Sequence, residues 1–184
     1  MKLKLFCDDP VSLVHSLAVQ VCKLVKEDFV VVGVLDAAYL MVADFVKKCQ
    51  NLGRPVHGVG FYTAKSREGI KQVPLSDVWY LSSKTTPLEG CAVVLLDVIA
   101  GSGKTLIAVK NDIVLTQNAK SVYSATLFIG PDPQVLPLVD NQPFTIPLNH
   151  YLIGYGLDLS GRFRYLDKVY DLIDNRDPEK VDYV

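Results

Sequence analysis

Apolar residues follow two different patterns along this chain. Unbroken apolar runs at 29–35 and 91–96, and a segment rich in β-branched and aromatic residues at 121–130, suit strands that are buried on both faces of a parallel sheet. Apolar residues recur every three or four positions at 39–51 and from 104 to about 112, as in helices that cover a sheet. The alternation predicts an α/β fold, a mainly parallel sheet flanked by helices.

Further elements are predicted before and between these runs. An amphipathic helix is expected to begin at Asp9-Pro10, with Asp9 as its N-cap and Pro10 in its first turn. Strands are predicted at 56–62 and 78–81, on either side of a polar segment at 63–72. The polar segment is expected to form an exposed connection between them.

The junction at 91–108 has the composition of a phosphate-binding site. An apolar strand ends in an acid, and the chain then passes through Gly101 and Gly103 into a helix. The first N–H groups of a helix have no partner within it and lie at the positive end of its dipole, so they can bind a phosphate. Glycine lets the backbone approach closely. The loop also offers two hydroxyl groups and one positive charge, on Ser102, Thr105 and Lys104.

The spacing of this loop distinguishes between two kinds of phosphate site. A Walker A loop needs a glycine where Val98 stands. Hydrophobic residues that lead to an acid and then to a short glycine-rich loop resemble instead the phosphoribosyl-diphosphate (PRPP) motif of type I phosphoribosyltransferases. The resemblance implies that Asp97 holds the ribose hydroxyls and that residues 101–105 take the 5′-phosphate. Val98 occupies the position of a second acid, and Gly101 that of the aspartate general base in purine enzymes, so no catalytic residue is identified.

A second motif lies at 150–166. It contains Gly-Tyr-Gly-Leu-Asp, an aromatic–Arg pair and a following leucine, and it resembles the C-terminal hood segment of hypoxanthine-guanine phosphoribosyltransferases. The resemblance implies that Tyr151 stacks on the purine and that Leu152 meets the base edge through its backbone. It also implies that Asp158 holds Mg²⁺ and that Arg164 reaches the pyrophosphate. An aromatic face, a carboxylate and a guanidinium suit these ligands chemically.

The segment from Leu35 to Tyr39 resembles the pyrophosphate loop of the same enzymes, which typically reads Leu-Lys-Gly-Gly-Tyr. The resemblance assigns Leu35 and Asp36 to pyrophosphate binding. A carboxylate beside a diphosphate is repulsive unless a metal ion lies between them. Asp36 can alternatively be read as a helix N-cap without a ligand.

The polar segment at 63–72 also has two interpretations. In related enzymes this region is a mobile flap that closes over the reaction and excludes water. The alternative is a solvated hairpin. The role of the wider region at 63–85 stays open.

Length, composition and charge limit the function classes. A chain of 184 residues is expected to form one domain over 1–184, with a hood at roughly 143–170. With 49% hydrophobic residues and a net charge of -1, it does not have the composition of a nucleic-acid binder. Neither a signal peptide nor a membrane span is expected, so we predict a cytoplasmic protein with no membrane partner. The four cysteines are scattered, so neither zinc nor disulfides are expected.

Two functions are compatible with these motifs. The first is transfer of a phosphoribosyl group from PRPP to a 6-oxopurine, hypoxanthine or guanine, in purine salvage. Mg²⁺ is the implied cofactor, and the family implies a homodimer or homotetramer. The second is a regulator that binds PRPP or a nucleotide without catalysis. The regulator is favoured by Gly101, by the Asp-Ala-Ala loop, and by the lack of the base-gripping lysine that purine enzymes usually carry near the end of the strand at 121–130.

Overall fold

The structure is a computed structural model that describes residues 2–68, 71–82, 84–147 and 150–174. Its nine strands, three α-helices and one 3₁₀ turn (Leu136–Leu138) follow in chain order. The strands and helices are β1 (Lys2–Cys7), α1 (Pro10–Leu24), β2 (Phe29–Leu35), α2 (Tyr39–Asn51), β3 (Gly58–Glu68), β4 (Lys71–Tyr80), β5 (Ala92–Ala100), α3 (Lys104–Leu115), β6 (Ser121–Ile129), β7 (Phe144–Thr145), β8 (Leu152–Ile153) and β9 (Val169–Asp174). None of the helices in these described ranges is both long enough and apolar enough to span a bilayer.

The main sheet has six strands in the order β4-β3-β2-β5-β6-β7. β2 pairs in parallel with β3 and β5, and β6 pairs in parallel with β5 and β7. All but the last residue of β2 are buried, which explains its continuous apolar sequence. The predicted mainly parallel sheet is therefore confirmed, and β2 has the bounds that the sequence predicted.

The helices cover both faces of this sheet. Apolar residues of α1 and α2 form one core cluster with one face of the strands, and those of α3 form a second cluster with the other face. α1 begins as predicted: Asp9 is its N-cap, and Oδ1 of Asp9 accepts a hydrogen bond of 2.9 Å from the Ser12 N–H.

β3 and β4 form an antiparallel hairpin at one edge of the main sheet. The polar segment predicted at 63–72 is part of this hairpin, although Gly69 and Ile70 lie outside the described residues. Whether the hairpin acts as a flap stays open. β4 supplies the strand that was predicted at 78–81 and begins well before it.

The hood is a separate sheet of three antiparallel strands in the order β1-β9-β8. The hood was expected at roughly 143–170, and no strand was predicted for the first residues of the chain. In the structure β1 pairs along β9, with Lys2 opposite Asp174 and Cys7 opposite Val169. Residues 2–7 therefore contribute a strand to the hood sheet.

The strand order places a topological switch point at the middle of the main sheet, where a ligand crevice is expected. From β2 the chain moves outward to β3, and from β5 it moves outward in the opposite direction to β6. β2 and β5 are thus neighbours at a topological switch point, where ligands of α/β proteins bind beyond the carboxyl ends of the strands. The loops at 36–38 and 101–103 follow these two carboxyl ends.

Candidate active site

The loop predicted to bind phosphate connects β5 to α3 at this crevice. Gly103 is the N-cap of α3, with a φ of 72° in the left-handed region that favours glycine. Ser102 and Lys104 are exposed, whereas Leu106 is 1% exposed and packs the first turn of α3 into the core. The structure therefore presents the start of a helix toward the crevice, as an anion site requires.

The end of β6 lies directly against this loop. The Gly130 N–H donates to the carbonyl of Ala100 at 2.8 Å. A Cβ atom at Gly130 would lie 2.5 Å from the carbonyl oxygen of Gly101, which is too close for any side chain. A side chain at position 130 therefore cannot be accommodated without moving the phosphate loop.

Asp97 lies below the loop, inside β5 and opposite Thr126 of β6. It is 7% exposed, which is unusual for a carboxylate. Alternation along β5 puts Asp97 on the same face as Val93 and Leu95, which pack with residues of α3. Its predicted contact with ribose hydroxyls is consistent with this position and stays a prediction.

Arg164 brings together the residues that were predicted for the diphosphate. Its Nη1 donates to the carbonyl of Gly156 at 2.7 Å. Its Nη2 lies 3.0 Å from Oδ1 of Asp158 and 3.4 Å from Oδ2 of Asp36. Asp158 is further held by the Gly161 N–H, which donates to its Oδ2 at 2.5 Å. Residues 128 positions apart in the chain thus meet at one guanidinium group.

Asp36 is not the N-cap of α2. The N-cap of α2 is Ala38, with no hydrogen bond from a capping side chain. The helix-cap alternative for Asp36 is therefore wrong, and its carboxylate instead faces Arg164. The hood rests on the same loop, since a Cβ atom at Gly156 would lie only 1.9 Å from the carbonyl oxygen of Ala37. The peptide bond between Leu35 and Asp36 is cis.

The two residues predicted to bind the base have different environments. Leu152 is 6% exposed in β8 and packs into the core that includes α1 and α2. Tyr151 is half-buried, and its hydroxyl donates to the carbonyl of Asp158 at 3.0 Å. This hydrogen bond holds the Tyr151 ring next to Asp158, which contacts Arg164. Stacking of this ring on a purine stays a prediction.

The sequence is similar to known phosphoribosyltransferases. The hypoxanthine phosphoribosyltransferase of Escherichia coli strain K12 is 31% identical over 140 residues, which cover 76% of this chain and 75% of that protein. This chain belongs to the hypoxanthine phosphoribosyltransferase family. The hypoxanthine-guanine phosphoribosyltransferase of Streptococcus thermophilus strain CNRZ 1066 is 31% identical over 105 residues, covering 56% of this chain and 57% of that protein.

The fold of this phosphoribosyltransferase also matches solved structures. A crystal structure of hypoxanthine-guanine phosphoribosyltransferase from L. donovani superposes with a TM-score of 0.74 at 20% identity, covering 93% of this chain and 100% of that chain. No protein-family model matches the sequence. The predicted family and fold class are both confirmed.

The contact between His150 and Asp171 in this phosphoribosyltransferase was not predicted from the sequence. Asp171 of β9 is 7% exposed, and its Oδ2 lies 2.7 Å from Nδ1 of His150. Its Oδ1 accepts a hydrogen bond of 3.2 Å from the Tyr151 N–H. Asp171 therefore positions the backbone at the predicted base-stacking residue. An acid between apolar neighbours in the strand 169–173 is the signal that could have identified it.

The donors near Arg164 suit a magnesium ion that arrives with its substrate. Within the four described ranges, no three or more His, Cys, Asp and Glu side chains are grouped as metal ligands. Asp36 and Asp158 nevertheless supply carboxylate oxygens at one nitrogen of Arg164. Mg²⁺ is commonly held by one or two carboxylates together with substrate phosphates and waters, so this donor set fits a metal–diphosphate complex.

Proposed function

We propose that this protein transfers a phosphoribosyl group from PRPP to a 6-oxopurine, hypoxanthine or guanine, and forms a nucleoside monophosphate and pyrophosphate in purine salvage. PRPP carries a 5′-phosphate and a 1-diphosphate at separate positions of one ribose. The observation that supports the proposal is that two candidate anion-binding groups lie at neighbouring strands. One is the loop 101–105 after β5, and the other is Arg164 beside the loop that follows β2.

Each residue of the crevice has a role in this reaction. The N–H groups at the start of α3, with the side chains of Ser102, Lys104 and Thr105, would hold the 5′-phosphate. Asp97 would hold the ribose hydroxyls, and Arg164 would bind the diphosphate as a leaving group. Mg²⁺, bound with the diphosphate at Asp158, would supply charge neutralisation as the diphosphate leaves.

The base would bind between the phosphate loop and the hood. Tyr151 offers an aromatic face for stacking, and the backbone of Leu152 offers hydrogen-bonding groups for the base edge. Gly101 has no side chain that could accept the purine proton, so that proton would pass to water or to another group. Because general-base catalysis typically contributes about 10²–10⁴-fold in rate, we expect slow turnover.

A specific observation favours a second function. The close approach of Gly130 to the Gly101 carbonyl removes the space for a base-gripping side chain at that point. With glycine at both positions, the protein could bind PRPP or a nucleotide and regulate another process without turnover. The transferase and the regulator share the anion sites and differ in catalysis alone. For either function we propose a cytoplasmic homodimer or homotetramer.

Charge reversal at α3 tests whether the loop binds a phosphate. Lys104 lies in the first turn of α3, and Lys110 lies in the same helix almost two turns later. We expect Lys104→Glu to weaken binding of inosine or guanosine monophosphate at least about tenfold in calorimetric titration, since it places a negative charge at the proposed phosphate site. Lys110→Glu should leave the affinity within about twofold. Equal effects of the two changes would contradict a phosphate site at 101–105.

A further inference from the structure

Asp36 and Asp158 contact the same nitrogen of Arg164. The distances from Nη2 are 3.4 Å to Oδ2 of Asp36 and 3.0 Å to Oδ1 of Asp158, and Nη1 is hydrogen-bonded to the carbonyl of Gly156. Both ends of the guanidinium group are therefore engaged by oxygen atoms of the protein itself. Any anion that binds at Arg164 arrives beside two carboxylates.

The charged groups at Arg164 carry more negative than positive charge. One guanidinium and two carboxylates carry a net charge of minus one, and the Asp36 side chain is 71% exposed. A free diphosphate is itself a multiply charged anion, so it meets a carboxylate where the family usually has a lysine. A divalent cation between a carboxylate and a phosphate oxygen converts this repulsion into attraction.

The backbone keeps Asp36 in this position. The Ala38 N–H donates to the carbonyl of Val34 at 3.0 Å, and Ala38 is fully buried. Gly156 packs so closely on the carbonyl of Ala37 that this segment cannot rise toward the hood. Asp36 can therefore move mainly by rotating its side chain. Its charge stays near the position proposed for the diphosphate.

We propose that Asp36 is a specificity-determining residue, which makes the site at Arg164 select a diphosphate that carries a divalent cation over the free diphosphate. This inference rests on the proposed function, because that function assigns the diphosphate to Arg164. The Asp36 carboxylate repels the uncomplexed anion and attracts the cation of the complex.

The test compares the effect of Mg²⁺ on pyrophosphate binding by two variants, each with one aspartate replaced at one end of β2. Asp36 follows the carboxyl end of β2, and Asp28 precedes its amino end, about 26 Å away at the rise of a strand. The variants Asp36→Asn and Asp28→Asn make the same chemical change at the two ends. Asp28 contacts His57 at 3.3 Å and both side chains are exposed, so its loss should be tolerated.

Inorganic pyrophosphate is titrated calorimetrically into each protein, once with excess Mg²⁺ and once with EDTA. We expect the ratio of the two dissociation constants to be at least about tenfold smaller in Asp36→Asn than in the wild type, because the free anion no longer meets a second carboxylate. Asp28→Asn should keep the wild-type ratio. An unchanged ratio in Asp36→Asn would overturn the inference.

Titration of the same proteins with a nucleoside monophosphate separates this inference from the proposed function. Nucleotide binding together with an unchanged pyrophosphate ratio overturns the role of Asp36 and leaves the proposed function standing. Failure of the wild type to bind either ligand overturns both. Melting curves of the two variants show whether each has kept its fold.

Discussion

The hydroxyl of Tyr155, in the hood, donates a hydrogen bond of 2.7 Å to Oδ2 of Asp44 in α2. Tyr155 is 3% exposed, and burial together with this hydrogen bond raises the pKa of Tyr155 far above its ordinary value, so it remains a donor at neutral pH. Since α2 begins directly after the loop of Asp36, the contact connects the hood to the proposed diphosphate site.

Removal of this hydroxyl should destabilise the protein measurably. We expect Tyr155→Phe to lower the free energy of unfolding by about 1.5–3 kcal/mol, the usual range for a hydrogen bond to a charged group. Tyr165, which is 68% exposed, provides the matched control, and Tyr165→Phe should change stability by less than about 0.5 kcal/mol. Urea unfolding measures both. Equal losses in the two variants would contradict a specific role for the Tyr155–Asp44 contact.

Alanine substitutions at two glycines of the hood distinguish the cost of backbone strain from the cost of a steric clash. Gly156 and Gly161 have φ angles of 91° and 82°, so alanine is strained at either position. A Cβ atom at Gly161 meets no atom within 4 Å, whereas one at Gly156 would lie 1.9 Å from the Ala37 carbonyl. We expect Gly161→Ala to cost about 1–2 kcal/mol and Gly156→Ala more than about 3 kcal/mol.

The same glycine pair tests whether the hood must rest on the loop of Asp36 for diphosphate binding. Pyrophosphate affinity should fall more in Gly156→Ala than in Gly161→Ala, which keeps the N–H that donates to Asp158, provided that both variants are measured below their melting temperatures. The proposed docking of the hood would be wrong if both variants lost the same stability and the same affinity.

The N-cap of α1 predicts a pH dependence of stability. The side chain and N–H of Ser12 both donate to Asp9, and these hydrogen bonds hold the pKa of Asp9 below its ordinary value of 3.8. The stabilisation is therefore present above 3.8 and is lost as the pH falls through the lowered folded-state value. Asp9→Ala should melt below the wild type at about pH 7, and the difference should shrink as the pH falls below 3.8 and through the lowered folded-state pKa.

Asparagine is the control for this prediction, because it also accepts a hydrogen bond at an N-cap but does not titrate there. Asp9→Asn should melt near the wild type at neutral pH and above it in acid. Melting temperatures across the acidic range decide the matter. A difference between Asp9→Ala and wild type that stayed constant at every pH would exclude the titration of Asp9 as its cause.

Cys22 of α1 and Cys49 of α2 have sulfur atoms 3.7 Å apart. Burial, aided by the neighbouring Cys22, raises the pKa of Cys49 to about 12, so its thiol is protonated at neutral pH. We expect hydrogen peroxide to oxidise the pair slowly to a disulfide, which would stabilise the protein by about 2–4 kcal/mol. Mass spectrometry should show the loss of two hydrogens, and Cys22→Ser should show neither change. Free thiols at both positions after prolonged oxidation would refute the prediction.

Local sequence patterns were sufficient to predict the central strands of the main sheet and the position of the candidate phosphate loop. β2 and β5 were predictable because strands buried on both faces need continuous apolar residues, and the loop at 101–105 because its glycines and hydroxyl groups are adjacent in the chain. The resemblance assigned Asp36 and Arg164 to the same ligand, but their direct contact joins residues 128 positions apart and was not predicted. The pairing of β1 with β9 and the contact of His150 with Asp171 likewise depend on the folded hood.

We propose that the two candidate anion sites serve catalysis of phosphoribosyl transfer and not ligand binding alone. The direct measurement is release of pyrophosphate from PRPP in the presence of Mg²⁺, with hypoxanthine, guanine, xanthine and uracil as separate acceptors. We predict slow, Mg²⁺-dependent release with hypoxanthine or guanine, and formation of the corresponding nucleoside monophosphate. Binding of PRPP or nucleotides in calorimetry without release of pyrophosphate for any base would contradict the transferase and support the regulator.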